Sequence, residues 1–368
     1  MPEQLTADLE ALAERAQAFA RDELEPRRHL PSDQARPEII TASRSAGFFA
    51  MTQPAAFGGS EASTLALTVV RDELAAVNAP HAEAVFGPGP GVLASVDEPL
   101  RSTHLAPLLA GEKRGGFGFT EPDDAPAPTR AERDGAILRI TGQKSYVTGG
   151  GSADFVNTLV QLDEGPALVV IDTDLPGVSI TRRFSSIDGS HHAAFRFDDV
   201  RVPASHIIGR PGEGMPRAMR QIGDVRLAIA ANCVGTLRWV LGYVAEHLKQ
   251  PDRSGTPRGA KEGVRLRYAD ARIRAFAARS MVYRTARLAD AGENVVNEGM
   301  ASKVFATEVL GDVVDTAIQL VGGSALVEDH PLAILYRQVR SLRLAEGASD
   351  VLRLNIARGI LELDKGRI

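Results

Sequence analysis

The pattern of apolar and polar positions divides the chain into three zones, of which the first has a helical period. From Leu5 to Phe19, apolar residues recur three or four positions apart, which places them on one face of a helix. Prolines at positions 26, 31 and 37 then break the pattern, and a second helix is predicted to begin near Pro37. Further helices are predicted over Ser63–Val77 and Pro99–Ala110. The first zone is therefore predicted to be helical.

In the second zone, from about Gly115 to Gly209, short β-rich runs alternate with glycine, aspartate and proline turns. Phe195 and Phe197 flank Arg196 with the two-residue period of a half-buried strand. Segments of this length and spacing predict a small barrel or sandwich. The predicted strands are Ala136–Thr141, Phe155–Leu162, Ala167–Asp172, Val178–Phe184 and Ala193–Val202.

In the third zone, from Met215 onward, the helical period returns in longer segments. Leu227, Val234, Leu241 and Leu248 recur every seven residues, which is the spacing of a seam between helices packed side by side. Three more long helices are predicted, over Arg265–Ala291, Met300–Val321 and Val351–Leu363. The pattern predicts an α+β fold with an N-terminal helical domain (1–112), a middle β domain (113–214) and a C-terminal antiparallel four-helix bundle (215–368).

Composition narrows the classes of function. The 368 residues exceed what one hydrophobic core of about 250–300 residues accommodates, in keeping with several packed parts. The 42 Lys and Arg against 47 Asp and Glu leave a net charge of −5 and no basic stripe, so we expect no nucleic-acid partner. The single cysteine, Cys233, excludes a disulfide framework and suits a reducing compartment, and its apolar helix face predicts a buried, inert thiol.

The sequence also bears on location and metal binding. No apolar run approaches the ~18 residues that are needed to span a bilayer. The residues at positions 1–4 do not begin a secretory signal, so a cytoplasmic location is expected. The only histidine pair, His191-His192, would point to opposite faces of a strand, so no metal site is predicted.

Candidate chemistry is concentrated in two places. Phe117–Pro122 and Gly142–Thr148 bring glycine, hydroxyl and aromatic residues to strand ends, where a backbone can approach a flat ligand; ordinary strand–turn junctions have the same composition. Glu346 lies between apolar residues and Gly347, just before a helix start. A carboxylate in an apolar pocket gains basicity and suits a general base, although an exposed loop glutamate would have the same sequence context.

In their order and spacing, these segments resemble the flavin-dependent acyl-CoA dehydrogenases over nearly the whole chain. Thr120-Glu121-Pro122 and Gly142-x-Lys144-x-Tyr146-Val147-Thr148 are similar to two signatures of that family. Other similar segments are Phe57-Gly58-Gly59, Leu108–Glu112, Phe197–Pro203, Gly212–Met215, Gln319–Gly323 and Tyr336–Ile356.

The resemblance implies an oxidoreductase that dehydrogenates an acyl thioester (acyl-CoA) between its α- and β-carbons, as in fatty acid β-oxidation, with FAD as cofactor. It implies that Glu346 takes the α-proton while hydride leaves the β-carbon for the flavin, and that Arg226 and Gly347 contact the substrate. The FAD-binding residues that it implies are Phe119, Thr120, Tyr146, Val147, Thr148, Arg253, Gln319, Leu320, Gly322, Gly323, Ala348, Ser349 and Asp350.

The resemblance also implies partners. Gln319, Leu320, Gly322 and Gly323 would approach the FAD of a neighbouring subunit, which implies a homodimer or homotetramer. An electron-transfer flavoprotein is the electron acceptor that the resemblance implies.

Two departures from the family pattern keep alternatives open. Asp123–Pro128 replaces a stretch that in the family carries a phosphate-contacting serine, and Pro251 stands where an arginine reaches the FAD pyrophosphate, with Arg253 as a substitute. The alternatives are a dehydrogenase acting on acyl-carrier-protein thioesters and a subunit of a mixed oligomer with an impaired flavin site. A third is a flavin monooxygenase on the same scaffold.

Overall fold

The computed structural model describes residues 4–366, and its first helices match the predicted helical zone. The helix predicted to begin near Pro37 begins five residues earlier, so that expectation is wrong. One proline removes a single intrahelical hydrogen bond, and the remaining bonds of the helix are kept. The N-terminal helices are α1 Ala7–Phe19, α2 Ser32–Ala46, α3 Thr64–Ala75 and α4 Ala106–Ala110.

The middle region forms one hydrogen-bonded sheet of eight strands. Its strand order is β6-β7-β3-β2-β4-β5-β8, and β1 pairs in parallel with β4. All five predicted strands are present, but β1, β2 and β8 were not predicted. The strands are β1 Gly115–Gly118, β2 Arg130–Asp134, β3 Ile137–Thr148, β4 Phe155–Leu162, β5 Gly165–Asp172, β6 Val178–Ser185, β7 His191–Pro203 and β8 Ile207–Ile208.

The C-terminal region contains the four predicted helices and a fifth, shorter one. The unpredicted helix buries Leu332, Leu335 and Val339, whose spacing of three and four is the helical period. The α+β fold class, with helices before and after a β region, is confirmed. These helices are α5 Gly214–Lys249, α6 Glu262–Asp290, α7 Val296–Val321, α8 Pro331–Leu342 and α9 Ser349–Leu363.

The chain divides into two compact units. Residues 52–61 and 87–222, which include the whole sheet, form the β unit. Residues 4–51, 62–86 and 223–366 form the helical unit. The domain boundaries at 112 and 214 remain predictions from the sequence.

One helix among residues 4–366, α5, is long and apolar enough to cross a bilayer. Its most apolar window has a mean hydropathy of 1.4, and half of that window is buried inside the protein. The expectation that no apolar stretch reaches bilayer length is corrected by this helix. Ala230, Val234, Leu237 and Val244 all face the core of the helical unit, so packing between helices accounts for its apolar character. Positions 1–3, on which the expectation of no secretory signal rests in part, lie outside the described residues.

A buried ionic cluster joins three helices within the helical unit. The carboxylate of Asp72 on α3 is fully buried and accepts hydrogen bonds from Arg238 Nη1 (3.0 Å), Arg279 Nε (2.8 Å) and the Tyr283 hydroxyl (2.6 Å). Arg238 on α5 also bonds the neighbouring Glu73 at 2.8 Å. Because a buried carboxylate is tolerated only when it is paired and hydrogen-bonded, each of these partners offsets its desolvation.

Replacing the buried carboxylate of Asp72 by the amide of Asn should destabilise the helical unit by about 1.5–3 kcal/mol, because Arg279 loses its nearest counter-charge and Arg238 keeps only that of Glu73. The free energy of unfolding from denaturant titration measures the change. Glu362→Gln is the matched control, since Glu362 pairs with Arg358 on an exposed helix surface and its loss should change nothing measurable. An equal effect of the two substitutions would contradict the importance assigned to the buried cluster.

Candidate functional site

Glu346 lies in the short connection between α8 and α9. Its backbone has a φ of 54°, in the left-handed region, and Gly347 follows with a φ of 107°. These two residues are called the Glu346–Gly347 turn below. The side chain is half-buried, and within residues 4–366 its carboxylate makes no hydrogen bond or ion pair. A non-glycine residue held at positive φ is strained, and strain of this kind concentrates at functional sites.

Two buried cations hold this turn. Arg226 on α5 donates from Nε to the carbonyl oxygen of Glu346 at 2.8 Å. Lys303 on α7 donates from Nζ to the carbonyl oxygen of Gly347 at 2.9 Å. The two side chains are almost inaccessible, with 8% of Arg226 and 0% of Lys303 exposed. Two successive peptide carbonyls of the turn are thus each fixed by a cationic donor.

Burial and charge oppose each other at the Glu346 carboxyl group. Burial raises its pKa, and the nearby charges of Arg226 and Lys303 oppose that rise without cancelling it. Burial, with the charge of Arg226 as a smaller cause, lowers the pKa of Lys303 to about 8. The thiol of Cys233 is buried as predicted, and burial raises its pKa to about 12. The turn therefore carries a carboxylate of raised basicity, which suits proton abstraction.

The start of α9 follows directly after this turn. Ala348 precedes the helix, and the backbone N–H of Ser349 donates to the carbonyl oxygen of Arg343 at 3.0 Å. Asp350, the next residue, is exposed. Since the N–H of Ser349 has a partner within the chain, it does not remain free for an anionic ligand.

In the β unit, two segments singled out in the sequence are bonded to each other. The ammonium group of Lys144 donates to a carboxylate oxygen of Glu121 at 2.8 Å and to the carbonyl oxygen of Phe119 at 3.3 Å. The N–H of Ser145 donates to the carbonyl oxygen of Thr120 at 2.8 Å. Burial would raise the pKa of Glu121, but its hydrogen bonds and the charge of Lys144 lower it overall. Lys144 and Glu121, which were not predicted as site residues, join the two segments.

The residues that follow Lys144 are arranged by an irregularity in β3. In a regular strand, Lys144 and Tyr146 would face the same side of the sheet. The pairing of β3 with β7 shifts between Lys144 and Val147, and Tyr146 has a φ of 54°. As a result Lys144 and Val147 are both buried, whereas Tyr146 is 62% exposed and Thr148 is also exposed. The ring of Tyr146 packs edge-on against Phe184 with centroids 5.3 Å apart.

The glycines at the end of α7 are not required by the chain's own packing. A Cβ atom added to Gly322 or Gly323 would meet no atom within 4 Å, although the φ of 91° at Gly322 favours glycine there. Gln319, just before them, is exposed, and Leu320 is half-buried. This end of α7 is open for close approach by another molecule.

Arg253 lies in the loop between α5 and α6. Pro251 and Pro257 pair across this loop as an isolated β-bridge, and Asp252 accepts hydrogen bonds from the N–H and hydroxyl of Ser254. The Arg253 side chain is exposed, while Arg258 donates to the carbonyl oxygen of Pro251 at 2.7 Å.

The predicted site residues therefore fall into separate groups. The helical unit brings together Arg226, Glu346 and Gly347, and the β unit brings together Thr120 and the segment from Tyr146 to Thr148. Lys303 was missed. The sequence feature that indicates its burial is its position three residues after Met300 and four before Thr307, both of which are buried on the same face of α7.

Comparison with known proteins places the chain in a family. Residues 6–112 match the profile of the acyl-CoA dehydrogenase N-terminal domain, and residues 212–361 match that of the C-terminal domain. The chain belongs to the acyl-CoA dehydrogenase family. Members of this family are FAD-dependent flavoproteins and oxidoreductases that act on CH–CH groups, in agreement with the enzyme class and cofactor expected from the sequence.

Similar proteins cover nearly the whole chain. A probable acyl-CoA dehydrogenase of Bacillus subtilis (YngJ) is 27% identical, and the alignment covers 98% of this chain and 99% of that protein. An acryloyl-CoA reductase (NADH) of Anaerotignum propionicum is 28% identical, with 97% and 95% covered. A crystal structure described as a putative acyl-CoA dehydrogenase of Mycobacterium smegmatis has a TM-score of 0.85 at 27% identity, with 97% and 98% covered.

Replacing Gly347 by Ala should disturb the turn that carries Glu346. The added Cβ would lie 2.9 Å from Leu352 Cδ2 and 3.3 Å from Arg226 Nη2, at a φ that side chains rarely adopt. We expect a loss of about 1–3 kcal/mol in the free energy of unfolding together with slower flavin reduction by acyl-CoA. Gly292→Ala is the matched control, because Gly292 has a φ of 77° but open space around it. If the two variants reduced flavin equally fast, the steric argument at Gly347 would be wrong.

Proposed function

We propose that this protein dehydrogenates an acyl-CoA between its α- and β-carbons, with Glu346 as the base that removes the α-proton. The observation that carries the proposal is the half-buried Glu346 carboxylate, which has no partner within residues 4–366 and a pKa raised by burial. An α-proton next to a thioester is weakly acidic. Raising the pKa of the base therefore narrows the difference between the pKa values of the proton donor and the base, which makes proton transfer less unfavourable. Glu346 accepts this proton and becomes a neutral carboxylic acid.

A backbone donor lies beside this base. The N–H of Glu346 donates to no acceptor within the described residues. We propose that it donates to the thioester carbonyl oxygen, on which negative charge develops as the α-proton leaves. The bond from Arg226 to the carbonyl oxygen of Glu346 fixes the orientation of the peptide that follows, and so contributes to the rigidity of the donor. We propose Arg226 and Gly347 as the substrate-side residues of this site.

The residues proposed for FAD have features that fit a flat, partly anionic cofactor. Tyr146 presents an exposed ring at a strained backbone position, and Gly323 leaves open space at the end of α7. FAD, when bound, supplies the acceptor for the hydride that leaves the β-carbon. The residues that would hold it are Phe119, Thr120, Tyr146, Val147, Thr148, Arg253, Gln319, Leu320, Gly322, Gly323, Ala348, Ser349 and Asp350.

The proposal also covers the substrate, the electron acceptor and the cellular location. We propose free acyl-CoA as the substrate, in keeping with the family, and an electron-transfer flavoprotein as the acceptor, in a cytoplasmic pathway of fatty acid breakdown. The exposed carboxylates of Asp123 and Asp124 keep a carrier-protein thioester as the alternative, because they would repel a phosphate in this loop.

Exposed apolar side chains support a homo-oligomer. On α6, Ile273 is 66% exposed and Phe276 is 65% exposed. On α9, Leu354 and Leu361 are exposed as well. Clusters of large apolar side chains in water are costly and mark association surfaces. We propose that a second copy of the chain covers them, and a mixed oligomer is the alternative.

Replacing Glu346 by Gln should abolish flavin reduction by acyl-CoA, with a loss of at least about 1000-fold, because the amide cannot accept the α-proton. In the unchanged protein, the rate should fall as pH decreases through the raised pKa of Glu346, since only the ionised form acts as base. Stopped-flow absorbance of the bound flavin, with a series of acyl-CoA and acyl-carrier substrates, measures both effects.

Stability provides the control for this variant. A carboxyl group whose pKa is raised on folding lowers the stability of the protein as pH rises from the unfolded-state pKa to the folded-state pKa, and the cost is complete above the folded-state pKa. The cost is absent when the group is neutral in both states. Glu346→Gln should therefore keep or raise the melting temperature and retain bound FAD. Undiminished flavin reduction in the variant would exclude Glu346 as the base.

The oligomer proposal predicts that the purified chain sediments at a multiple of 39.2 kDa with about one flavin per chain. Ile273→Glu should shift it toward smaller species, because a charge would be buried at the association surface. Arg272→Glu, at an exposed neighbouring position of α6, is the control. A flavin-free monomer would instead support the mixed-oligomer alternative.

A further inference from the structure

Lys303 is a fully buried ammonium group in a helix whose other buried residues are mostly apolar. Burying such a group is expensive unless its donors find partners. Within the described residues, Nζ has one hydrogen-bond partner, the carbonyl oxygen of Gly347 at 2.9 Å. The charged or titratable groups that face it are Arg226 and Cys233 from α5, Glu308 from its own helix, and Glu346. The one hydrogen bond that offsets the cost of burying this ammonium group is therefore made to the turn that carries Glu346.

That turn needs support from outside itself. Glu346 has a positive φ of 54°, which strains a residue that carries a side chain, and a strained conformation persists only where its surroundings determine it. Gly347 adopts its φ of 107° without such strain, and its flexibility leaves the turn free to move. Arg226 fixes the first carbonyl of the turn, but the peptide between Gly347 and Ala348 is still able to rotate about its two flexible dihedral angles. Lys303 removes that freedom by bonding the second carbonyl.

We propose that Lys303 is a positioning residue for the dehydrogenation: it holds the Gly347 carbonyl and thereby fixes the direction of the Glu346 carboxylate. This inference depends on the proposed function of Glu346. The ammonium group also stabilises the ionised form of the carboxylate through its charge. Lys303 thus contributes a geometric effect through its hydrogen bond and an electrostatic effect through its charge, and two substitutions separate them.

Lys303→Met removes both the hydrogen bond and the charge while keeping an unbranched side chain of similar length. Lys303→Gln removes the charge but retains an N–H donor, although on a shorter side chain. Lys249→Met is the matched control, because Lys249 is exposed and pairs with Glu246 on the surface of α5. All variants are prepared as the FAD-bound enzyme, and flavin reduction by a saturating straight-chain acyl-CoA is followed by stopped-flow absorbance from pH 5 to 9.

For Lys303→Met, the limiting rate of reduction per bound flavin should fall about 10–100-fold, with the substrate dissociation constant changed less than about threefold. For Lys303→Gln, a smaller fall is expected. In both variants the acid limb of the pH profile should move to higher pH, because a positive charge near the base is lost. The control should keep the rate and the pH profile of the unchanged enzyme.

Three results would overturn the inference. They are an unchanged limiting rate in both variants, a pH profile that does not move in either, or a loss confined to melting temperature and flavin content. The last of these is what a structural role alone predicts. If Lys303→Met does not fold, Lys303→Gln alone decides between these results. The proposed function of Glu346 is tested separately, and it is refuted if Glu346→Gln still reduces its flavin. If Glu346→Gln is inactive while both Lys303 variants are fully active, only the role of Lys303 is refuted.

Discussion

The site depends on one constraint: a glutamate must be held at positive φ, on a turn that would not keep this shape alone. Such strain costs about 1–3 kcal/mol per residue. Hydrogen bonds to charged groups each contribute about 1.5–3 kcal/mol. The bonds from Arg226 and Lys303 to the two carbonyl oxygens are therefore large enough to offset the strain. Removing either one leaves the strain only partly compensated, and the carboxylate then samples other directions.

The same two cations limit how basic Glu346 becomes. Burial alone would favour a neutral carboxylic acid, which removes no proton. Cations too close to the carboxylate would make it a weak base. In this structure they bond the backbone rather than the carboxylate, so their charges act from a distance and the pKa of Glu346 stays raised. Arg226 and Lys303 therefore hold the turn that carries the Glu346 side chain without pairing directly with its carboxylate.

The local periodicity of the sequence was sufficient for most of the fold. The strand at Phe155–Leu162 was predicted with its observed ends, because five of its eight residues are apolar and turns bound it. The helix α8 was not predicted, although the spacing of three and four between its buried residues Leu332, Leu335 and Val339 is the helical period.

The candidate site was less predictable than the fold. Lys303 was missed because lysine in a helix is normally exposed, and only the packing of α7 shows it to be buried. Nor did the sequence indicate that Arg226 bonds the backbone of Glu346. The proposed cofactor residues came from resemblance to a family, since the residues alone were compatible with ordinary turns.

In the β unit, one short motif supplies both a buried lysine and an exposed aromatic ring. In Gly142–Thr148, regular alternation would place Lys144 and Tyr146 on the same face. The shift in pairing after Lys144 lets the ammonium group reach Glu121 inside the protein while the ring of Tyr146 faces outward. The positive φ at Tyr146 thus accompanies the burial of the Lys144 ammonium group and the exposure of an aromatic ring within three residues. A strand without this irregularity would bury the ring or expose the lysine, and the two segments would then lose either their connection or their proposed cofactor surface.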